Sequence, residues 1–584
     1  MHNILKLMGY MRPYWKQATI GPLMKLIEVM LELMQPRLVQ RIVDEGIAKG
    51  DLDLVIETGL WMLGLAIGGV LFGIGNAWFG VWVAQRVETD VRSALFGKIQ
   101  SLSFGNLDKL STGHLITRLT NDVRQVGEVA RLLLRILSRM PMSMVGGLVM
   151  AIITSPRLGL IFIGLVPVVL GTLILVFRKA NAMFAEVQNR LDRVNQVTQE
   201  NLAGVRVVKA FLRADHEIER FGTANNRLME QTIRVTQLVA LVMPVMMLVL
   251  NLGVVGVIWF GGIAVTQGGM KLGEIIAFIN YLLLFLQSLM IGSMVLIRMS
   301  RAEASAERII EVLNSEPEVP DRADAKRDVV LKGQVAFENV TFSYNETADD
   351  PVLRNLNFVA EPGQKVAILG STGAGKSSLV NLIPRFYDVD AGRVMVDGMD
   401  VRDMEQETLR QQIGMALQES VLFSGTIRHN IRYGRPDATD EEVEIAARAA
   451  MAHDFIVQFP DKYETLLGQR GVNLSGGQRQ RIAIARALIS RPKVLILDDS
   501  TSAVDLETEA RIHDALEQMA GCTSFLVAQR ISTVLQADKI LVLDDGVLVA
   551  EGTHQELMEA SSVYQEIYDS QLGEGNGYGG RAQG

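Results

Sequence analysis

Six apolar stretches, at residues 18–40, 57–84, 136–155, 158–178, 238–266 and 274–297, dominate the first half of this 584-residue chain. Each approaches or exceeds the roughly 20 residues that an α-helix needs to cross a bilayer. Backbone in hydrocarbon must satisfy its own polar groups, so such runs predict spanning helices. Three connections are short, "AKGDLD", "TSPR" and "TQGGMK", whereas segments 86–135 and 179–235 are long, polar and helical in pattern. Their excess of Lys and Arg places them, and both termini, on the cytoplasmic side. The opening "MHNILKLMGYMRPYW" reads as a basic interfacial helix, not a cleavable signal. A net charge of −8 argues against a nucleic-acid partner, and the single cysteine, Cys522, suits a reducing compartment.

Polar residues inside the spans are candidates for a transport path. Lys25, Glu28 and Glu32 share one face of the first span. Intramembrane charge often marks a pathway, and a Lys25–Glu28 pair with a locking contact to another helix is the alternative. Asn251, Asn280 and Gln287 line a cavity or bond between helices. Glycines 64, 68, 69 and 73 read as sites of close helix packing.

The Pro- and charge-rich stretch 314–328, "NSEPEVPDRADAKRD", separates this all-α region (1–313) from an ordinary α/β pattern at 329–572. The Gly-rich tail 573–584 reads as disordered. Within the α/β half, the strand "QKVAILG" runs into "GSTGAGKSS" and then into a helical segment. That context fits a phosphate-binding loop. Gly373 and Gly375, with Ser371, Thr372 and Ala374, turn backbone N–H groups toward phosphate oxygens at a helix start, which itself favours anions. Lys376 reaches the β and γ phosphates, Ser377 holds Mg²⁺, and Ser378 follows. A second apolar strand, Val494–Leu497, ends in Asp498 and Asp499. An acid there commonly holds Mg²⁺ beside a nucleotide.

"LSGGQ" at 474–478 resembles the signature of ATP-binding-cassette (ABC) proteins, and the other motifs fall in that family's order. They are Tyr344, the phosphate loop, Gln418 in "ALQESVLF", "VLILDD", "SAVD" with Asp505, and "VAQRIST" at the switch-histidine position. The six-span half also resembles ABC exporters, and "TGHLITRLTND" (112–122) and "GVRVVKAF" (204–211) look like their two cytoplasmic coupling segments. The resemblance implies a type IV exporter fold: an all-α six-helix transmembrane domain fused to an α/β P-loop nucleotide-binding domain. It implies a half-transporter in a bacterial inner or plasma membrane, two chains of which sandwich two ATPs with Mg²⁺. Tyr344 would stack on adenine, and Ser377, Gln418 and Asp498 would hold Mg²⁺, the last through water. Leu474, Ser475, Gly476, Gly477 and Gln478 would touch the partner's ATP.

Two positions depart from the family. Asp499 stands where the family usually has the glutamate that polarises water, and Gln529 stands where it usually has histidine. Aspartate lacks one methylene, so its carboxylate falls about 1–1.5 Å short of a position that demands hydrogen-bond reach. Gln529 donates a hydrogen bond but carries no positive charge. The pattern resembles the degenerate-site half of heterodimeric bacterial exporters. It implies a different partner half-transporter chain, with ATP bound and poorly hydrolysed at this chain's own site. The expected substrate is amphipathic, with multidrug export ahead of lipid or peptide export and of an ATP-gated channel.

Overall fold

The computed structural model describes residues 2–344, 351–517, 521–528 and 530–572. It forms two compact units, one of residues 1–100 and 113–314 and one of residues 101–112 with everything from 315 onward. Gln529 and the 573–584 tail lie outside the described residues.

The first unit is helical throughout. Among the described residues, five segments are long and apolar enough to cross a membrane: Leu52–Ser101, Thr112–Thr154, Pro156–Ala203, Ala214–Thr266 and Leu272–Leu289. The first predicted span is the exception. Its helix, Trp15–Arg41, has 27 residues, but Lys25, Glu28 and Glu32 lower its apolar character. Polar locks fasten it to its neighbours. Tyr281 donates its hydroxyl to the Leu33 carbonyl at 2.9 Å, and buried Asn76 donates its amide to Gly21 O at 2.8 Å and Leu134 O at 3.2 Å. An unpaired amide in such surroundings would be costly, so these bonds fix which helices pair.

Close packing explains two of the four singled-out glycines. A Cβ on Gly73 would stand 3.2 Å from a Glu28 oxygen and one on Gly68 would stand 3.3 Å from Leu31, whereas Gly64 and Gly69 meet nothing within 4 Å. Farther along, buried Asp122 accepts from Ser305 Oγ at 2.8 Å and from Arg308 Nε at 2.8 Å. Arg118 donates to Glu311 at 2.9 Å. Most of the "TGHLITRLTND" segment is thereby tied into the helical unit.

The second unit is built on a six-stranded sheet. Its strands in chain order are β1 (Val335–Phe342), β2 (Leu353–Ala360), β3 (Lys365–Gly370), β4 (Ala391–Val396), β5 (Met399–Asp400), β6 (Ile413–Ala416), β7 (Gly425–Thr426), β8 (Leu466–Leu467), β9 (Val494–Asp498), β10 (Thr523–Val527), β11 (Lys539–Asp544) and β12 (Val547–Gly552). The main sheet runs β12-β11-β3-β10-β9-β6 and is parallel from β11 to β6. Both faces of its centre are covered, which is why every residue of β9 and β10 is buried and β9 reads as an apolar run up to Asp498. A second sheet, β2-β1-β4-β5, is antiparallel.

The stretch 314–328, expected as a linker, begins on the last residue of the Leu272–Asn314 helix, and from residue 315 onward it is strapped to this unit. Buried Arg385 donates to Pro320 O at 3.0 Å, Gln406 Nε2 donates to Val319 O at 2.8 Å, and Lys326 N donates to Asp403 O at 2.9 Å. The Phe104–Lys109 helix belongs to the same unit. Phe104 stacks on Phe386 at 4.2 Å, Tyr387 donates to Asp108 at 2.6 Å, and Ser103 Oγ accepts from Glu318 N at 2.9 Å. Sequence reading put the first coupling segment at 112–122, a few residues downstream of this helix.

Candidate nucleotide site

The register of the sheet brings the phosphate loop and the paired acids to the same end. Val527 on β10 pairs with Ile368 of β3 on one side and with Asp498 of β9 on the other. In a parallel sheet, ligands bind beyond these carboxyl ends.

The loop after β3 turns on Gly373 and Gly375, whose φ angles of +90° and +92° suit a residue without a side chain. A Cβ at Gly375 would also crowd the Leu353 side chain at 2.6 Å and the Val352 carbonyl at 3.1 Å. Gly375 leads straight into the Lys376–Leu382 helix. Buried Lys376 turns its ammonium back to the Gly370 and Ser371 carbonyls at 2.9 and 2.8 Å. Ser377 Oγ donates to Asp498 Oδ1 at 3.0 Å, and Ser378 Oγ bonds the Tyr344 hydroxyl at 2.9 Å. Tyr344 is 44% exposed and packs edge-on against Phe342 and Tyr387, which steady the ring. Gln418 is exposed just past β6.

These groups fit Mg·ATP. Lys376 and Ser377 now use a carbonyl pair and a carboxylate as partners, and both could exchange them for phosphate oxygens and a cation. Among the described residues no group of three or more His, Cys, Asp or Glu could hold a metal. A cation at Ser377 and Asp498 would take its remaining ligands from beyond these two side chains. When bound, Mg²⁺ would neutralise phosphate charge.

Electrostatics agree. Burial holds the Lys376 ammonium below its ordinary value, against the pull of Asp499 and Asp498. Burial raises Asp498, opposed by its bond from Ser377. Burial likewise raises Asp499, opposed by Lys376 and Arg530. The site thus concentrates ionisable groups whose ionisation a bound Mg·ATP would alter.

Asp499 has a left-handed backbone, φ +47°. Aspartate tolerates that region better than most residues. Its N–H donates to Val527 O at 3.2 Å, and its carbonyl accepts from Ser502 Oγ at 2.9 Å. The backbone is pinned from both sides.

The signature opens the Gly476–Leu488 helix. Ser475 is its N-cap, accepting from Gln478 N at 3.2 Å while Gln478 Oε1 accepts from Ser475 N at 2.9 Å. Leu474 is buried. Gly477 is fixed by this chain's own backbone, since a Cβ would stand 2.7 Å from Ala503 O. Asp505 caps the next helix, Leu506–Glu517, accepting from Thr508 N at 2.9 Å.

Sequence reading missed the residues that brace this end of the sheet. Buried Glu509 accepts from Thr501 and Thr533 at 2.8 and 2.9 Å, and Arg530 donates to Ser502 O at 3.4 Å. Spacing alone could not find them, because each contact joins different elements.

The proposed substrate residues are less united. Lys25 Nζ meets Glu28 at 2.5 Å, and Arg139 from the Ser138–Thr154 helix meets Glu32 at 3.0 Å and Glu28 at 3.9 Å. Two acids and two bases thus form one neutral cluster. Asn280 folds back on its own helix, donating to Ile276 O at 2.8 Å, and Asn251 and Gln287 are exposed. A separate groove between the Ile161–Ala203 and Ala214–Ala240 helices is lined by Arg190, Arg193, Arg220, Arg227 and Glu186, among others. It contains none of the predicted substrate residues.

A helical membrane unit joined to a phosphate-loop α/β unit with a signature helix defines an ATP-powered membrane transporter. The family described as "ABC transporter transmembrane region" matches residues 19–289, and "ABC transporter" matches 353–502. The chain is 43% identical over 568 residues to the "Uncharacterized ABC transporter ATP-binding protein YfiB" of Bacillus subtilis (strain 168), covering 97% of this chain and 98% of that one. It is 36% identical over 576 residues to the "Putative multidrug export ATP-binding/permease protein YgaD" of the same organism, covering 97% and 98%. A solved "bacterial Atm1-family ABC exporter with ATP bound" superposes with a TM-score of 0.81 at 27% identity, covering 96% of this chain and 99% of that one. The chain belongs to the ABC transporter family, as an exporter half-transporter with a multi-pass membrane domain and an ATP-binding domain.

Proposed function

We propose that this chain is the slow-site half of a heterodimeric bacterial exporter that moves amphipathic compounds, multiple drugs among them, out of the cell. Its own site holds Mg·ATP through Lys376, Ser377, Gln418 and Asp498, with Tyr344 under the adenine. Its signature, Leu474–Gln478, completes the partner's site. ATP favours one of two membrane-domain states by its differential affinity for them, and hydrolysis resets the cycle.

The observation that carries the slow-site reading is the pinned backbone at Asp499. An aspartate could replace glutamate only if its backbone advanced by about the missing methylene, and a misplacement of about 1 Å costs on the order of 100-fold in rate. Bonds to Val527 and Ser502 oppose that advance. Gln529 adds a second departure in the same motif set.

The neutral Lys25–Glu28–Arg139–Glu32 cluster bears on the substrate. Its acids are already paired, which favours recognition by shape and apolar contact over selection for cations. The name carried by YgaD supports drugs as one class of cargo.

The test is the native mass of the complex isolated from its own membranes through a tag on this chain. A second, unequal chain with glutamate and histidine at the two positions is expected. A homodimer that turns over ATP rapidly would sink the reading.

A further inference from the structure

The turn that carries Asp499 is gripped by a side chain from another element. Gln480 lies one helical turn beyond Gly476 and Gly477, on the same face of the Gly476–Leu488 helix. Its amide is buried and used at both ends. Oε1 accepts from Ala503 N at 2.9 Å, while Nε2 donates to Ser502 Oγ at 3.2 Å and to Asp499 O at 3.5 Å. Ser502 Oγ donates to that same Asp499 carbonyl at 2.9 Å. Beside it, the α-carbon of Gly477 is pressed so close to Ala503 O that a Cβ there would stand 2.7 Å away. The start of the signature helix and residues 499–503 are therefore joined by hydrogen bonds and a close backbone contact.

A purely structural glutamine is the competing explanation. The turn, however, already has bonds of its own: Val504 N donates to Thr501 O at 2.9 Å, and Asp499 N is held by Val527 O. Gln480 is not the turn's only support. It adds a rigid link between two places that act on different nucleotides, if the signature serves the partner's ATP. Packing and hydrogen bonds in a contiguous body are what carry coupling between sites.

We infer that Gln480 is a positioning residue that passes occupancy of this chain's signature to the backbone of Asp499, so that ATP at the partner's site sets the acid at this chain's own site. This rests on the shared-site reading above. Gln480 touches no reacting atom. It acts through Ser502, Ala503 and the Asp499 carbonyl.

The test uses the purified complex carrying Asp499→Glu with Gln529→His, in which this chain's site turns over. Adding Gln480→Met, which keeps side-chain length and removes both amide bonds, lowers turnover about tenfold and brings the Hill coefficient for ATP to about 1. Equilibrium binding of ATP without Mg²⁺ and the thermal midpoint stay unchanged. Unaltered turnover and Hill coefficient overturn the inference. So does a parallel loss of ATP binding and thermal stability, which marks a structural role only. Should Gln480→Met fail to fold, Gln480→Glu keeps the acceptor for Ala503 N and loses the donor; it must show the same fall in Hill coefficient. If Asp499→Glu with Gln529→His gives no gain, the slow-site reading fails separately. Gln480→Met is then read on the Hill coefficient of the unmodified complex, with the same outcomes deciding.

Discussion

Ser377 Oγ donates to Asp498 Oδ1 at 3.0 Å, joining the helix after the phosphate loop to the end of β9. The two oxygens sit where one cation could replace the shared proton. Ser377→Ala or Asp498→Asn is expected to weaken ATP binding to this chain by on the order of 10- to 100-fold when Mg²⁺ is present. With EDTA the loss should vanish. Photolabelling of this chain by an azido-ATP, with and without Mg²⁺, measures both. Equal loss in the two conditions would mean that the pair only holds the fold.

Asp499→Glu sets reach against backbone strain. Glutamate restores the missing methylene, so together with Gln529→His it should raise turnover at this chain's site. The left-handed φ of +47° suits aspartate better than glutamate. The single Asp499→Glu change is therefore expected to cost about 1 kcal/mol of stability. ATPase rate and thermal midpoint on the same preparation should move in opposite senses. A rate gain with no drop in midpoint would remove the strain argument.

The candidate nucleotide site is legible in the sequence because its chemistry is local. Gly373, Gly375, Lys376 and Ser377 lie within one loop whose spacing is set by a phosphate, and Ser475 with Gln478 forms a cap visible in "SGGQ". What joins the loops was not legible. Tyr387 meets Asp108 across 279 residues, and Arg139 meets Glu32 across 107. No periodicity encodes such pairs. Gly477 shows a subtler limit: the motif marks it for contact with a nucleotide, and the structure gives its lack of a side chain a second cause in Ala503.

That second cause changes what a substitution at Gly477 reports. Even Gly477→Ala places a carbon 2.7 Å from Ala503 O, so residues 499–503 must shift with it. Such a variant should impair ATP chemistry at the partner's site and also disturb this chain's own. Ser475→Ala is cleaner: it removes the hydroxyl and a cap worth about 1 kcal/mol while leaving Ala503 untouched. Site-specific nucleotide trapping is expected to show Ser475→Ala weakening the partner's site most, with a smaller loss passed to this chain's own site. Equal effects at both sites would argue against the division of labour.

The intramembrane cluster calls for a cycle of substitutions. Arg139→Gln leaves Glu32 facing Glu28 without its cation, and Glu32→Gln leaves Arg139 with a single, longer contact. Each single change should lower the thermal midpoint in detergent, and the double change should recover most of the loss, with a coupling of about 1 kcal/mol. Export of cationic and of neutral amphipathic dyes should fall together in Glu32→Gln. Selective loss of cationic dyes would restore Glu32 to the role of a substrate acid.

Tyr387 stands between the Phe104–Lys109 helix and the nucleotide site. Its hydroxyl donates to Asp108 at 2.6 Å, its ring meets Tyr344 edge-on at 5.2 Å, and Tyr344 in turn bonds Ser378, next to Ser377. A base stacked on Tyr344 would bear on the ring that Tyr387 supports, so adenine and helix share a neighbour. Tyr387→Phe keeps the ring contact and deletes only the bond to Asp108. ATP affinity should therefore stay within about twofold, because the deleted bond faces away from the nucleotide, although as a bond to a carboxylate it is worth about 2 kcal/mol to the fold. Transport in membrane vesicles should fall further than ATPase does. Tyr387→Ala removes the ring as well, and there ATP affinity should fall too. If Tyr387→Phe weakens ATP binding as much as Tyr387→Ala does, the hydroxyl holds the aromatic cluster together, and the bond to Asp108 carries no separate signal.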